Sequence, residues 1–115
     1  YYSNKKLKTM GEYYYKKRSG TWEYFDNLGK IFLRENYIDD LLNGNVCFFF
    51  DGVMIEKYNY ENGKKNGVSK SFFPSGKLKE IKNYFEDKLH GKYEIFSKHG
   101  KLLETYIYEN GFIVK

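Results

Sequence analysis

The sequence predicts an all-β fold: a single-layer antiparallel meander of repeated β-hairpins, elongated and twisted. Three observations predict it. Tyr13, Tyr37, Tyr60, Tyr84 and Tyr108 recur at intervals of 24, 23, 24 and 24 residues. Glycines keep step with them: Gly20, Gly44, Gly67 and Gly91 lie seven residues after one of these tyrosines, and Gly29, Gly52, Gly76 and Gly100 lie eight before one. Composition agrees, since 13 Tyr and 10 Phe suit a pleated, half-buried surface and the absence of Ala removes the best helix former. A fixed period of this length marks stacked supersecondary units, each too small to bury its own apolar face.

The period divides a single domain, 1–115, into a degenerate partial unit (1–19) and four units at 20–43, 44–66, 67–90 and 91–115, about four and a half in all. In the partial unit Tyr1 stands in the Phe25 slot, Lys6-Leu7 in the Lys-Leu slot, and Tyr13 closes it. Each complete unit holds two strand-length segments. The first ends at Phe25, Phe49, Phe72 or Phe96, and a turn follows that closes at Gly29, Gly52, Gly76 or Gly100, where positive φ suits a hairpin. The second runs from Ile31, Met54, Leu78 or Leu102 to the marker tyrosine. Six residues separate Leu78 from Tyr84, an even number, which predicts one shared face of the strand.

A second turn closes at Gly63 and Gly111, or at Asp40 and Asp87 in the same slot, because Asp tolerates the left-handed region better than most residues. The 23-residue step comes from Phe49-Phe50-Asp51-Gly52, one residue shorter than Phe25-Asp26-Asn27-Leu28-Gly29. Inside a turn that change leaves strand register intact, whereas a helical repeat would swing its apolar face by about 100°. Roughly nine strands at ~4.8 Å spacing give a sheet about 40 Å long, with Phe stacked over Phe and Tyr over Tyr. Its two open edges invite capping or self-association.

Chemistry is sparse. One cysteine excludes an intrachain disulfide, and no apolar run nears the ~20 residues of a spanning helix. Cys47 lies in the apolar run Val46-Cys47-Phe48-Phe49-Phe50, where an inert thiol is expected, and His90 and His99 precede turn glycines. The two histidines fall in opposite turns of one unit, about 20 Å apart, which predicts no shared metal. Asp39-Asp40 and Glu86-Asp87 are isolated acidic turns, and the glycines open no helix that could cradle phosphate. No catalytic residue, cofactor or metal is expected. Residue 1 is Tyr and falls mid-unit, which favours excision or processing and keeps an exported or cell-surface setting in view.

Tyr-Glu-Asn-Gly at 60–63 and 108–111, a glycine four residues on, an aromatic, and Ser-Gly-Lys-Leu at 75–78 resemble the variant MORN repeat of bacteria, in particular the YwqK antitoxin family. The resemblance implies an extended hairpin sheet without catalysis that neutralises a partner toxin, and so a cytoplasmic protein. Eukaryotic MORN proteins, associated with membranes and scaffolding, are similar more distantly. Tyr-x-x-Gly replaces their Tyr-x-Gly here, so a lipid role does not carry over.

A net charge of +5 permits attraction to membrane lipid or another polyanion, and lysines interleave with aromatics from Lys57 to Lys101. Nucleic acid ranks below a protein partner, because the aromatics occupy the internal positions of the repeat. The expected partner contacts are Trp22, Tyr24, Tyr58 and Tyr106. The positions equivalent to the last three become Ser71, Glu35 and Lys82 in other units, as in a column facing solvent or a partner. The expectation is a non-catalytic β-repeat module for a protein partner, with a structural segment of a longer repeat protein and lysine-driven attachment as alternatives.

Overall fold

The computed structural model describes residues 8–14 and 16–115. Tyr1, Lys6 and Leu7, which define most of the partial unit, lie outside the described residues. The strands are β1 (Lys8–Tyr14), β2 (Lys17–Phe25), β3 (Ile31–Ile38), β4 (Leu41–Leu42), β5 (Gly44–Phe50), β6 (Val53–Glu61), β7 (Lys64–Lys65), β8 (Gly67–Phe72), β9 (Leu78–Phe85), β10 (Lys88–Phe96), β11 (Leu102–Glu109) and β12 (Phe112–Ile113). They form one antiparallel sheet with the path β1-β2-β3-β5-β6-β8-β9-β10-β11-β12, while β4 pairs with β3 and β7 with β6. The chain measures 45 × 32 × 20 Å, close to the length that the strand count predicts. The hairpin meander is therefore the architecture.

Tyr13 pairs with Arg18, but the other four marker tyrosines have a glycine for partner. Tyr37, Tyr60, Tyr84 and Tyr108 stand directly opposite Gly20, Gly44, Gly67 and Gly91 on the preceding strand. Those glycines sit inside bulges, where the strand gains two residues on its predecessor: Leu89 pairs with Tyr84 but Tyr93 with Lys82. The backbone there needs φ of 104° at Gly91, which a side chain would strain. Asn43 and Asn66 mark the same irregularity, which separates β4 from β5 and β7 from β8.

A second irregularity overturns one expectation. Tyr24 pairs with Leu33 and Phe25 with Ile31, so Phe32 is an extra residue; Ile55, Lys79 and Leu103 repeat it. Paired residues share a face, so Ile31 belongs with Phe25, and Tyr37 lies on the other side. Even spacing therefore fails here, because a one-residue bulge reverses the alternation. The sheet has a tyrosine face (Trp22, Tyr24, Val46, Tyr58, Ser69, Tyr93, Tyr106 and the markers) and a phenylalanine face, where Phe25, Phe49, Phe72 and Phe96 oppose Ile31, Met54, Leu78 and Leu102.

The turns follow the repeat. Asp26, Phe73 and Ser97 each open a loop in which their carbonyl accepts from the N–H of Gly29, Gly76 or Gly100 at 2.8–3.0 Å. Asp51 and Gly52, at φ 51° and 79°, instead form a two-residue turn, and Phe49 still pairs with Met54, so the deletion leaves register intact. At the opposite end the N–H groups of Asp40, Gly63, Asp87 and Gly111 donate to the carbonyls of Arg18, Leu42, Lys65 and Leu89, stitching each turn to the preceding unit at 2.8–3.1 Å. Where Asp fills the slot its carboxylate also accepts the N–H of Arg18 or Lys65, each at 2.7 Å, so Asp alternates with Gly in step with a cation alternating with Leu.

Candidate functional site

A single-layer sheet buries little. Trp22, Tyr37, Val46, Cys47 and Ser69 are the buried residues among those described, and all except Cys47 belong to the tyrosine face. That face is the candidate site. All four residues expected at a partner contact lie on it, though in different roles. Trp22 is 8% exposed, its ring edge-on to Tyr13 at 5.1 Å and to Tyr37 at 6.4 Å, so it supports the face from within. Tyr24, Tyr58 and Tyr106 are half-buried, each with ring surface in reach of solvent.

Four hydroxyls of this face are anchored to glutamates. Tyr37 donates to Glu35 at 2.8 Å, Tyr58 to Glu56 at 3.0 Å, Tyr93 to Glu80 at 2.9 Å, and Tyr106 to Glu104. Three of these pairs span two residues of one strand, the spacing that puts both side chains on one face. Rings are held as well: Tyr58 meets Phe48 edge-on at 6.1 Å, and Tyr106 meets Tyr93 at 6.1 Å. The Lys65 ammonium lies 4.4 Å from the Tyr58 ring centre and 5.1 Å from that of Tyr84, and the Arg18 guanidinium lies 4.1 Å from Tyr37. Burial and then the glutamate bond push the phenol of Tyr93 up to about 12, and the same causes raise those of Tyr37 and Tyr58. These three phenols thus stay neutral and donating through any ordinary pH.

The third unit opens a notch in this face. Ser69 and Ser71 form its floor, and Glu56, Tyr58, Glu80 and Lys82 its walls, with Lys70 alongside, around about 10 Å³, room for one water-sized atom. Ser71 donates to Glu80 at 3.3 Å, and the Lys82 ammonium stands 3.7 Å from the same carboxylate. In the sequence Ser71 and Lys82 stand out only as substitutes in the tyrosine column, and Ser69 does not stand out at all. Lining up the units shows the signal, since Ser69 takes the place of Trp22, Val46 and Tyr93.

The other candidates stay apart. Cys47 is 4% exposed, its paired neighbours are Arg34 and Lys57, and burial raises its thiol, so its thiolate is disfavoured. His90 lies within β10 and not in a turn, because Gly91 beside it belongs to a strand bulge, and its Nδ1 accepts the N–H of Asn110. Among the described residues no group of three or more His, Cys, Asp or Glu side chains is placed to hold a metal.

Residues 65–86 and 89–110 each match the family described as MORN repeat variant. The matches support a MORN-repeat protein. Those two segments run from the bulge before Gly67 to the turn before Gly111, so the MORN repeat here is one strand pair with its tyrosine and glycine. No curated protein sequence matches the chain. Among solved structures, TarM matches over 98% of this chain with a TM-score of 0.57 at 19% identity. A TarM mutant from S. aureus, in complex with Fondaparinux, alpha-GlcNAc-glycerol and UDP, matches over 93% with a TM-score of 0.55, also at 19% identity. The chain spans about a fifth of the length of both (21%), and at that identity the likeness is one of fold.

Proposed function

We propose that the chain is a non-catalytic MORN-repeat module whose tyrosine face binds a protein partner, in the manner of an antitoxin or immunity protein acting in the cytoplasm. One observation carries the reading: Tyr24, Tyr58 and Tyr106 share a face, partly exposed, with Tyr58 and Tyr106 tied by their hydroxyls to Glu56 and Glu104. Rings held in advance lose little entropy on binding, and tyrosine is favoured where one side of a ring is apolar and its tip polar. The test is co-expression with the products of the flanking genes, followed by co-purification. The wild type should retain one of them and suppress its toxicity, while the combined Tyr24→Ser, Tyr58→Ser and Tyr106→Ser variant folds by circular dichroism and loses it. Undiminished retention by the triple variant would defeat the reading.

A second reading has its own support. In TarM this fold is 21% of a longer chain, and the β11–β12 margin exposes Leu102, Leu103, Phe112, Ile113 and Val114. A structural segment of a longer, exported repeat protein, associating through open edges, would use that margin. Sedimentation at rising concentration separates the two, since a strict monomer disfavours the second. Lysine-driven attachment to lipid or another polyanion has less behind it on the tyrosine face, which carries Glu35, Glu56, Glu80 and Glu104. It predicts affinity falling steeply with salt.

A further inference from the structure

Two neighbouring positions of the third unit break the repeat. Two residues after the bulge glycine stand Trp22, Val46 and Tyr93, but Ser69; four residues after it stand Tyr24, Phe48 and Ile95, but Ser71. Exchanging large apolar side chains for serines at both positions is what leaves the notch. Ser69 lies directly opposite Lys82, and Ser71 lies between Glu56 and Glu80 on the flanking strands. Ser69 is only 3% exposed, lines the notch, and its hydroxyl has no hydrogen-bond partner. A buried hydroxyl left unpaired opposes folding, and the valine of the second unit shows that the fold does not need it.

We propose that the notch is the anchor subsite of the partner-binding face and takes the oxygen of a primary carboxamide, the side chain of an asparagine or glutamine of the bound protein, with the NH₂ of that group at its mouth. The proposal rests on the tyrosine face being that face. The lining selects the group by its mixture of donors and acceptors. A carboxylate would be repelled by Glu56 and Glu80. An ammonium or guanidinium, which only donates, would meet the Lys82 ammonium and leave the Ser69 proton unanswered. A carboxamide satisfies both sides: its oxygen accepts from the Ser69 hydroxyl and from Lys82, and its NH₂ donates to Glu56 and Glu80. Both carboxylates retain capacity for it. Oε2 of Glu56 accepts from Tyr58, and Glu80 accepts from Ser71 at Oε1 and from Tyr93 at Oε2, but each oxygen carries two lone pairs.

Acetamide, titrated into the isotopically labelled full chain, is the direct probe, with acetate, methylammonium and methyl glucoside as comparisons. Saturable shifts of the Ser69, Ser71 and Lys82 backbone amides are expected with acetamide, at least tenfold weaker with acetate or methylammonium, and absent in Ser69→Val. That variant should also melt at a higher temperature than the wild type while its affinity for the co-purified partner falls at least tenfold. Equal shifts with all probes, or none at these residues because the notch holds only water, would overturn the proposal. Tighter saturation by methyl glucoside would overturn it too, by assigning the notch to a saccharide. None of these titrations involves the partner, so their failure leaves the tyrosine-face reading intact. Acetamide binding with partner retention unchanged in Ser69→Val would overturn the anchor role alone.

Discussion

The indole of Trp22 lies against Gly11 across β1 and β2, so closely that a Cβ on Gly11 would fall 2.1 Å from the ring. Glycine is required there for space, as the seat of the aromatic ring that anchors the first complete unit. Gly11→Ala should therefore cost about 1–3 kcal/mol through overpacking, and Trp22→Ala about 3–5 kcal/mol through the cavity it leaves. The two should not add, since the atoms nearest to a methyl at residue 11 are all those of the indole. Far-UV circular dichroism during urea unfolding reports all three variants, and the fluorescence of Trp22, the sole tryptophan, reports Gly11→Ala besides. Additive costs would show that the ring does not rest on Gly11.

Burial of the tyrosines, and then their bonds to glutamate, make an alkaline prediction. The phenol of Tyr93 titrates at about 12 in the folded chain, against about 10 for an unperturbed tyrosine. A raised folded value means that the unfolded chain loses this proton first. The stabilisation is therefore fully present below about pH 10 and disappears as pH rises toward 12. Thermal melts at stepped pH should show a constant midpoint through neutrality and a fall above pH 10. Tyr93→Phe should flatten that fall in part. If the variant and the wild type lose stability in parallel, neither the burial of Tyr93 nor its bond to Glu80 holds its proton in the folded chain.

Glu86 occupies the first position of its turn at φ 50°, where the equivalent residues are Asp39, Asn62 and Asn110. Glutamate lacks the short polar side chain that makes the left-handed region tolerable. Glu86→Asn should raise stability by about 0.5–1 kcal/mol in urea titration. The expected gain follows from the turn alone, because Asp87 continues to accept the N–H of Lys65. An unchanged midpoint would mean that the turn is not under local strain.

These residues also mark where the sequence was legible. The period, the turns and the antiparallel path follow from Tyr and Gly spacing, because a hairpin repeat writes its turn chemistry at fixed offsets. The two faces did not follow. Phe32, Ile55, Lys79 and Leu103 look like ordinary strand residues, and nothing local signals that each is an unpaired insertion reversing the alternation. Trp22 was read as a contact for its residue type, yet its exposure depends on Gly11, eleven residues earlier and on another strand. Ser69 gave its signal only in comparison with Val46, and its lack of a partner is a property of the assembled sheet. Positions set by chain direction could be read, while those set by cross-strand register could not.

The shortened turn offers the sharpest test of that register. Phe50-Asp51-Gly52-Val53 closes with Phe50 opposite Val53, whereas the third unit carries Phe73-Pro74-Ser75-Gly76-Lys77, with the N–H of Phe73 donating to the Lys77 carbonyl. Inserting a proline between Phe50 and Asp51 reproduces the longer loop, including its leading phenylalanine. Because the pairing of Phe49 with Met54 already matches that of Phe72 with Leu78, the insertion should leave the sheet unchanged and shift stability by no more than about 0.5 kcal/mol. The same insertion placed between Lys57 and Tyr58 should fail to fold, since it would move Tyr58 and Tyr60 to the phenylalanine face. Circular dichroism and urea unfolding of the two variants decide the matter: equal damage from both would mean that the turn, and not the strand pairing, holds the units in register.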